Sequence, residues 1–201
     1  MKNKNKIMTK LQNILTRFKY DSGLQILDQN FSNEIIFDRK LQSTTLSNAN
    51  FSNCDFENLD FTGSYFMACD FKNCTFANTI FHKCEFWDCT FQNCQITICD
   101  LTKIDIYTNV FRNCRFNKID LSWSYLDNCE FPETQLFDIN FIGTVIDTLK
   151  TKNTTFLNLK FCESFPVKFW KSGKLTKVKD FSRFTKLLQA LDEELESTDE
   201  T

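Results

Sequence analysis

The sequence predicts an all-β solenoid, a chain wound into a coil, and three regularities predict it. First, every fifth residue from Ile26 to Ile146 is large and apolar, with an unbroken run of Phe from Phe51 through Phe56, Phe61 and Phe66 to Phe91. A period of five suits neither a helix face, at about 3.6 residues, nor a strand face, at about 2. Second, a smaller residue stands two positions upstream of most large ones: Ala49, Cys54, Ser64, Cys69, Cys74, Thr79, Cys84, Cys89, Cys94, Cys99, Cys114, Ser124, Cys129, Thr134 and Thr144. Third, the remaining positions are mostly polar, and Asn recurs two residues downstream of the large one, at Asn48, Asn53, Asn58, Asn73, Asn78, Asn93, Asn113 and Asn128. Alternate residues of an extended segment share a face, so the small and large residues point inward together. Asn tolerates tight backbone turns and can make a corner. A chain that turns inward every five residues closes into a coil.

Runs such as Ala49-Asn50-Phe51-Ser52-Asn53, Cys69-Asp70-Phe71-Lys72-Asn73 and Cys99-Asp100-Leu101-Thr102-Lys103 carry the pattern Ala–Asp/Asn–Leu–X–X. Over residues 44–162 the chain resembles the pentapeptide-repeat family, with Phe often replacing Leu and Cys often replacing Ala. That resemblance implies a right-handed quadrilateral β-helix with twenty residues per coil. Reading every twentieth residue tests the implication. Phe31, Phe51, Phe71, Phe91, Phe111 and Phe131 form one column. Ile36, Phe56, Phe76, Ile96, Phe116, Leu136 and Phe156 form another. Both are expected to stack at the strand spacing of about 4.8 Å. After a slip at Thr151 the phase returns at Phe156 and Phe161.

Taken in order, residues 1–22 read as an N-terminal helical cap, since Ile7, Leu11, Ile14, Leu15 and Phe18 have helical spacing. Residues 23–165 read as the β-helix. Its first coil is expected to be irregular, a loosened capping coil, unless its two charges pair, because Glu34 and Arg39 fall at small inward positions, where an unpaired charge is expensive. Residues 166–179, with Lys168, Lys171, Lys174, Lys177 and Lys179, read as a solvated basic linker. Residues 180–201 read as an amphipathic helix, N-capped by Asp180, with an acidic tail. Phe181, Phe184, Leu187, Leu188 and Leu191 would either cap the open end of the rod or make a homodimer contact. The resemblance supplies the second reading, since some gyrase-protecting relatives dimerise end to end through C-terminal elements, and the two readings stand level.

The 201 residues carry a formal charge of −2, which makes neither nucleic acid nor an anionic membrane an obvious partner. No apolar run approaches about 18 residues, so no membrane-spanning helix is expected. The Lys-rich start lacks the apolar core of a signal peptide. All of the ten cysteines except Cys162 occupy the small inward position. Their spacing therefore follows from the repeat, and buried, reduced, space-filling thiols in a cytoplasmic protein are expected, with no metal and no cofactor. The single histidine, His82, lies at an outward polar position, and no nucleophile or zinc signature accompanies it, so no catalysis is expected.

Laid out twenty residues to a coil, the chain groups Tyr65, Met67, Trp87, Tyr107 and Tyr125 on one side, with Trp123 near its corner. Exposed aromatics grouped this way suggest a partner site, and Glu85, Asp105 and Asp127 lie among them. That side and the one preceding it are rich in acids: Asp60, Glu85, Asp88, Asp100, Asp105, Asp120, Asp127 and Asp147 against Lys83 and Lys103. The reading is a non-enzymatic rod that binds a cytoplasmic protein through its aromatic and acidic side. The alternative is a DNA-mimicking modulator of type II topoisomerase, an activity that the family resemblance implies.

Overall fold

The computed structural model describes residues 10–16, 22–171 and 174–188. Short strands of mostly three residues stack into parallel sheets with a register of twenty. Gln25 lies opposite Thr45, Asn30 opposite Asn50, and Ile35 opposite Asp55. One side of the coil is a nine-stranded sheet running from Gln25–Leu27 to Lys174–Val178. Two further sides are seven-stranded sheets. The fourth side is held by single bridges, among them Asp60 to Ile80, Ile80 to Asp100, and Asp100 to Asp120. The result is a four-sided β-solenoid, the architecture that the twenty-residue columns anticipate.

The interior is built from those columns. Phe31, Phe51, Phe71, Phe91, Phe111 and Phe131 stack with centroid separations of 4.9, 5.0, 4.7, 4.8 and 4.8 Å. Neighbouring columns meet edge to face, as Phe71 does with Phe76 at 5.4 Å and 72°. Offset stacks along the axis and T-shaped contacts across it are the two arrangements that aromatic quadrupoles favour. Where Phe gives way to Ile96, Leu101, Ile104 and Ile106, a purely apolar void of about 30 Å³ remains, a gap whose lining offers water no hydrogen-bond partner.

The smaller inward residues have a second duty. Many of them turn a donor onto the main-chain carbonyl of the large residue 23 positions earlier: Cys84 Sγ onto Phe61 at 3.0 Å, Cys94 onto Phe71 at 3.4 Å, and Ser124 Oγ onto Leu101 at 2.8 Å. Thr144 and the buried Asn109 do the same to Leu121 and Phe86. A weak thiol donor thus serves where Ala would leave the acceptor facing hydrocarbon. All the cysteines that occupy this position are free and buried, and Cys162 is half-buried.

The corners are backbone facts. Asn48, Asn53, Asn58, Asn73, Asn78, Asn93, Asn113 and Asn128 all have φ between 50° and 55°, the left-handed region that Asn visits more readily than most residues. Ile98 adopts the same φ of 55° with a β-branched side chain, an exposed and strained exception. The slip at Thr151 is a local exchange: Leu149 is buried at the small position and Thr151 is buried at the large one.

Two expectations about the ends are corrected. The first coil is regular, its strands Gln25–Leu27, Asn30–Ser32 and Ile35–Lys40 pairing in register with the second. Glu34 is met in part by the N-terminal helix Lys10–Thr16, which sits on that coil: its Oε1 accepts the Leu11 N–H at 3.2 Å, while its buried Oε2 has no hydrogen-bond partner among the described residues. Leu11 and Leu15 are buried there, while Ile7 and Phe18 lie outside the described residues. Residues 166–179 are not a linker. Val167–Lys171 joins the nine-stranded sheet beside Val145, and Lys174–Val178 folds back antiparallel upon it. Val167, Phe169 and Val178 are buried, and Lys168 and Lys177, opposite each other in the hairpin, point away from the core. The lysines disguise an ordinary two-residue alternation.

The C-terminal helix, 181–188, begins with Asp180 Oδ1 accepting the Arg183 N–H at 2.9 Å. Phe184 is fully buried against Phe141, Phe156, Phe161 and Phe169 at 5.3–5.7 Å. Leu188 is buried, Leu187 half-buried and Phe181 exposed. This part of the helix therefore plugs the end of the rod. Leu191 and the acidic tail lie outside the described residues.

Candidate interaction face

The nine-stranded sheet carries all the aromatic residues that the sequence groups, apart from Trp123. Because its strands are in register, outward residues fall into two files. One file reads Tyr65, Glu85, Asp105, Tyr125 and Val145, and the other Met67, Trp87, Tyr107 and Asp127. Trp87 and Tyr107 stack at 4.0 Å and 20°, and Tyr125 leans on Tyr107 at 5.6 Å. Tyr65, Met67 and Trp87 are exposed, and Tyr107 and Tyr125 are half-exposed. Trp123 stands at the corner with φ 63°, and its ring packs edge-on against Phe165 at 4.8 Å. A Cβ at residue 143 would meet that ring at 2.7 Å, so both the contact and a φ of 71° require Gly143.

The carboxylates on this sheet lie one above another. Glu85 is paired in register with Asp105, and Asp147 sits close enough to Asp127 to raise its pKa. Among the described residues no cation forms an ion pair with any of the four. Glu85 Oε2 accepts the Trp87 Nε1–H at 3.1 Å, and Asp147 accepts a long bond from the Tyr125 hydroxyl at 3.4 Å. Partial burial, with Glu85 alongside, holds Asp105 above the usual carboxylate range. Partial burial and then Asp147 do the same to Asp127. Tyr125 is pushed up to about 12 by burial and by Asp127 and Asp147.

The acids of the fourth side are of another kind. Asp60, Asp100 and Asp120 each accept, through Oδ1, the N–H two residues on, from Thr62, Thr102 and Ser122, at 2.9 Å. Asn140 does likewise for Ile142 at 3.1 Å. These are side-chain turns that shape the coil. The acidic half that the sequence outlines therefore divides into the Asx-turn acceptors Asp60, Asp100 and Asp120, the corner residue Asp88 at φ 54°, and four acids of the aromatic sheet that form no ion pair among the described residues. His82 belongs to the structural side, its Nδ1 2.7 Å from Thr102 Oγ1. Among the described residues no group of His, Cys, Asp and Glu is arranged to hold a metal ion, and no helix is long and apolar enough to cross a membrane.

Sequence reasoning missed one part of the face. The C-terminal hairpin prolongs the same sheet, and so Lys168 and Trp170, with Lys177 and Leu175 opposite them, continue its outer surface. Trp170 and Leu175 are exposed. The period-two alternation of Val167-Lys168-Phe169-Trp170 is the signal that would have found them.

A four-sided β-solenoid of five-residue units with plugged ends defines a repeat protein that presents flat sheet faces. A family model described as "Pentapeptide repeat region" matches residues 64–141, so the middle of the coil is a pentapeptide-repeat region. A second model, "SV2A/B/C luminal domain", matches residues 6–96. No curated protein matches the chain. Similar solved structures include QnrB1, a plasmid-mediated fluoroquinolone resistance protein, at 18% identity over 83% of this chain and 96% of that one, with a TM-score of 0.41. HetL, a pentapeptide-repeat protein involved in heterocyst differentiation regulation from the cyanobacterium Nostoc sp. strain PCC 7120, matches at 9% identity, 74% and 90% coverage and a TM-score of 0.26. Rfr23 from the cyanobacterium Cyanothece 51142 matches at 14%, 80% and 99%, with a TM-score of 0.28.

Proposed function

We propose that this chain is a non-enzymatic interaction rod of the cytoplasm that holds a protein partner against its nine-stranded face. The observation that carries the reading is the Trp87–Tyr107 stack bordered by carboxylates that form no ion pair among the described residues. Like charges stacked one strand apart work against folding, and nothing in the coil needs them, since the corners and turns are made elsewhere. Residues that oppose stability without a structural task are the usual mark of a surface kept for binding. Exposed aromatics beside them supply the apolar centre that interfaces favour. Binding rather than catalysis is supported by thiols held inside the coil and by a histidine engaged with Thr102. The test is capture of a partner by Trp87→Ala and Tyr107→Ala. Both are expected to keep the wild-type circular dichroism and lose capture at least about tenfold; undiminished capture by both would discard the reading.

A second reading, a DNA-mimicking modulator of type II topoisomerase, is favoured by the excess of acids on two adjoining sides. Gyrase supercoiling with and without a fluoroquinolone decides it, and no effect at excess protein ends it.

A further inference from the structure

The full face has a charge order that appears only once the hairpin is in place. Along one file the outward residues run Glu85, Asp105, Tyr125, Val145, Lys168 and Lys177, acidic at one end and basic at the other. The adjacent file is aromatic or apolar at both ends, with Trp87 and Tyr107 at one and Trp170 and Leu175 at the other, and acidic between them. Such a face is complementary to itself when reversed.

We propose that it docks a second copy of this chain, the two rods antiparallel and face to face about a two-fold axis between Tyr125 and Val145. The proposal rests on the interaction face described above and names its partner. In that register Asp105 meets Lys168 of the second copy, and Glu85 meets its Lys177. Tyr107 lies against Trp170, Trp87 against Leu175, and Tyr125 against Val145. Each contact occurs twice, as a two-fold interface requires. One pairing opposes the fit, because Asp127 faces Asp147. The fixed twenty-residue register keeps the sheet regular enough for six successive rungs to meet, a contact on the order of 30 Å long at about 4.8 Å per rung. One sheet face of that length stays near or below the roughly 1,200 Å² of a standard stable interface. The dimer is therefore a dissociating one, with Kd on the order of 10–100 µM.

Sedimentation equilibrium on the full chain tests this. Wild-type protein is expected to show a monomer–dimer equilibrium. Asp105→Lys and Lys168→Glu should each weaken it at least about tenfold, whereas the double variant, which exchanges the charges at both symmetric contacts, should return close to wild type. Asp127→Asn should tighten it a few-fold, because it removes the one like-charge contact. Thermal melts of each variant separate loss of pairing from loss of fold. A monomer at several hundred micromolar, or a dimer indifferent to both single reversals, overturns the proposal. If the protein is monomeric while Trp87→Ala still loses a different partner, the self-pairing fails and the interaction face stands. If Trp87→Ala alters neither self-association nor capture, both fail.

Discussion

The nine-stranded face and the corner between the two seven-stranded sheets are made by the same backbone, repeated at the same spacing, yet they treat their polar groups in opposite ways. At the corner Asn113, Asn93, Asn73 and Asn53 form a ladder, each amide donating to the carbonyl oxygen of the one before it at 2.8, 3.0 and 3.1 Å. Nearby, Asn50 donates to Asn30 at 2.7 Å and Thr75 to Asp55 at 2.6 Å. Each rung there answers the rung before it. On the nine-stranded face Glu85 and Asp105 are acceptors in register with no donor between them, and the aromatic rings stack on each other. Identical neighbours are self-satisfying when the side chain is an amide, which both donates and accepts, and self-opposing when it is a carboxylate, which only accepts. A repeat protein that places like on like can thus be read for function by asking where stacking helps and where it hurts.

Three measurements sharpen or break that contrast, beginning with the largest effect. The two regions share one interior, so ionising the interior should melt both together. Burial pushes Cys84 and Cys129 up to about 12 and Cys99 up to about 11. An unfolded thiol ionises near pH 8.5, so the stabilising contribution is whole below that value and is lost as pH rises toward the folded values. Stability, and the melting temperature with it, should fall steeply above pH 9, by roughly 2 kcal/mol per buried thiol at pH 10. A flat profile between pH 8 and pH 10 would contradict the packing described here.

Next, Asn93→Ala removes two rungs of the corner ladder and puts a Cβ without a local hydrogen bond at φ 55°. A loss of about 1–2 kcal/mol is expected in urea unfolding. An unchanged midpoint would mean that the ladder is ornament.

The smallest effect has the opposite sign. Asp105→Asn should stabilise the chain at pH 7 by a few tenths of a kcal/mol, the order of one like-charge cross-strand contact. Its raised pKa means that the wild type holds its full contribution below the unfolded value near 3.9 and loses it as pH rises through the folded one. The gap between variant and wild type should therefore close on acidification toward pH 4. Destabilisation at pH 7 would show that Asp105 has a structural task after all.

The coil was legible because its signal is repeated. Phe at every fifth position, thiols two residues before it and Asn two residues after it each recur often enough that one exception, such as Thr151 or Ile98, does not obscure the rule. The tyrosine, tryptophan and methionine of the candidate face could be placed by counting alone. The departures lay where nothing repeats. Glu34 looked like a fault in the first coil and is the acceptor for a helix whose docking no periodicity announces. Lys168 and Lys177 looked like a solvated connector and lie on a hairpin whose buried residues find their place only against the last coil.

By itself, then, the sequence determined the coil, its four sides, the content of its core and the side on which the aromatics gather. A period acts locally, and each unit needs only its neighbours to be satisfied. The tertiary structure decided which carboxylates are turn acceptors and which are not, how the two ends are closed, and that the candidate face runs from acidic to basic. Those outcomes depend on which groups meet across the coil. Asp100 and Asp105 are alike in the chain, and they differ only in whether a backbone N–H has turned back to meet the carboxylate.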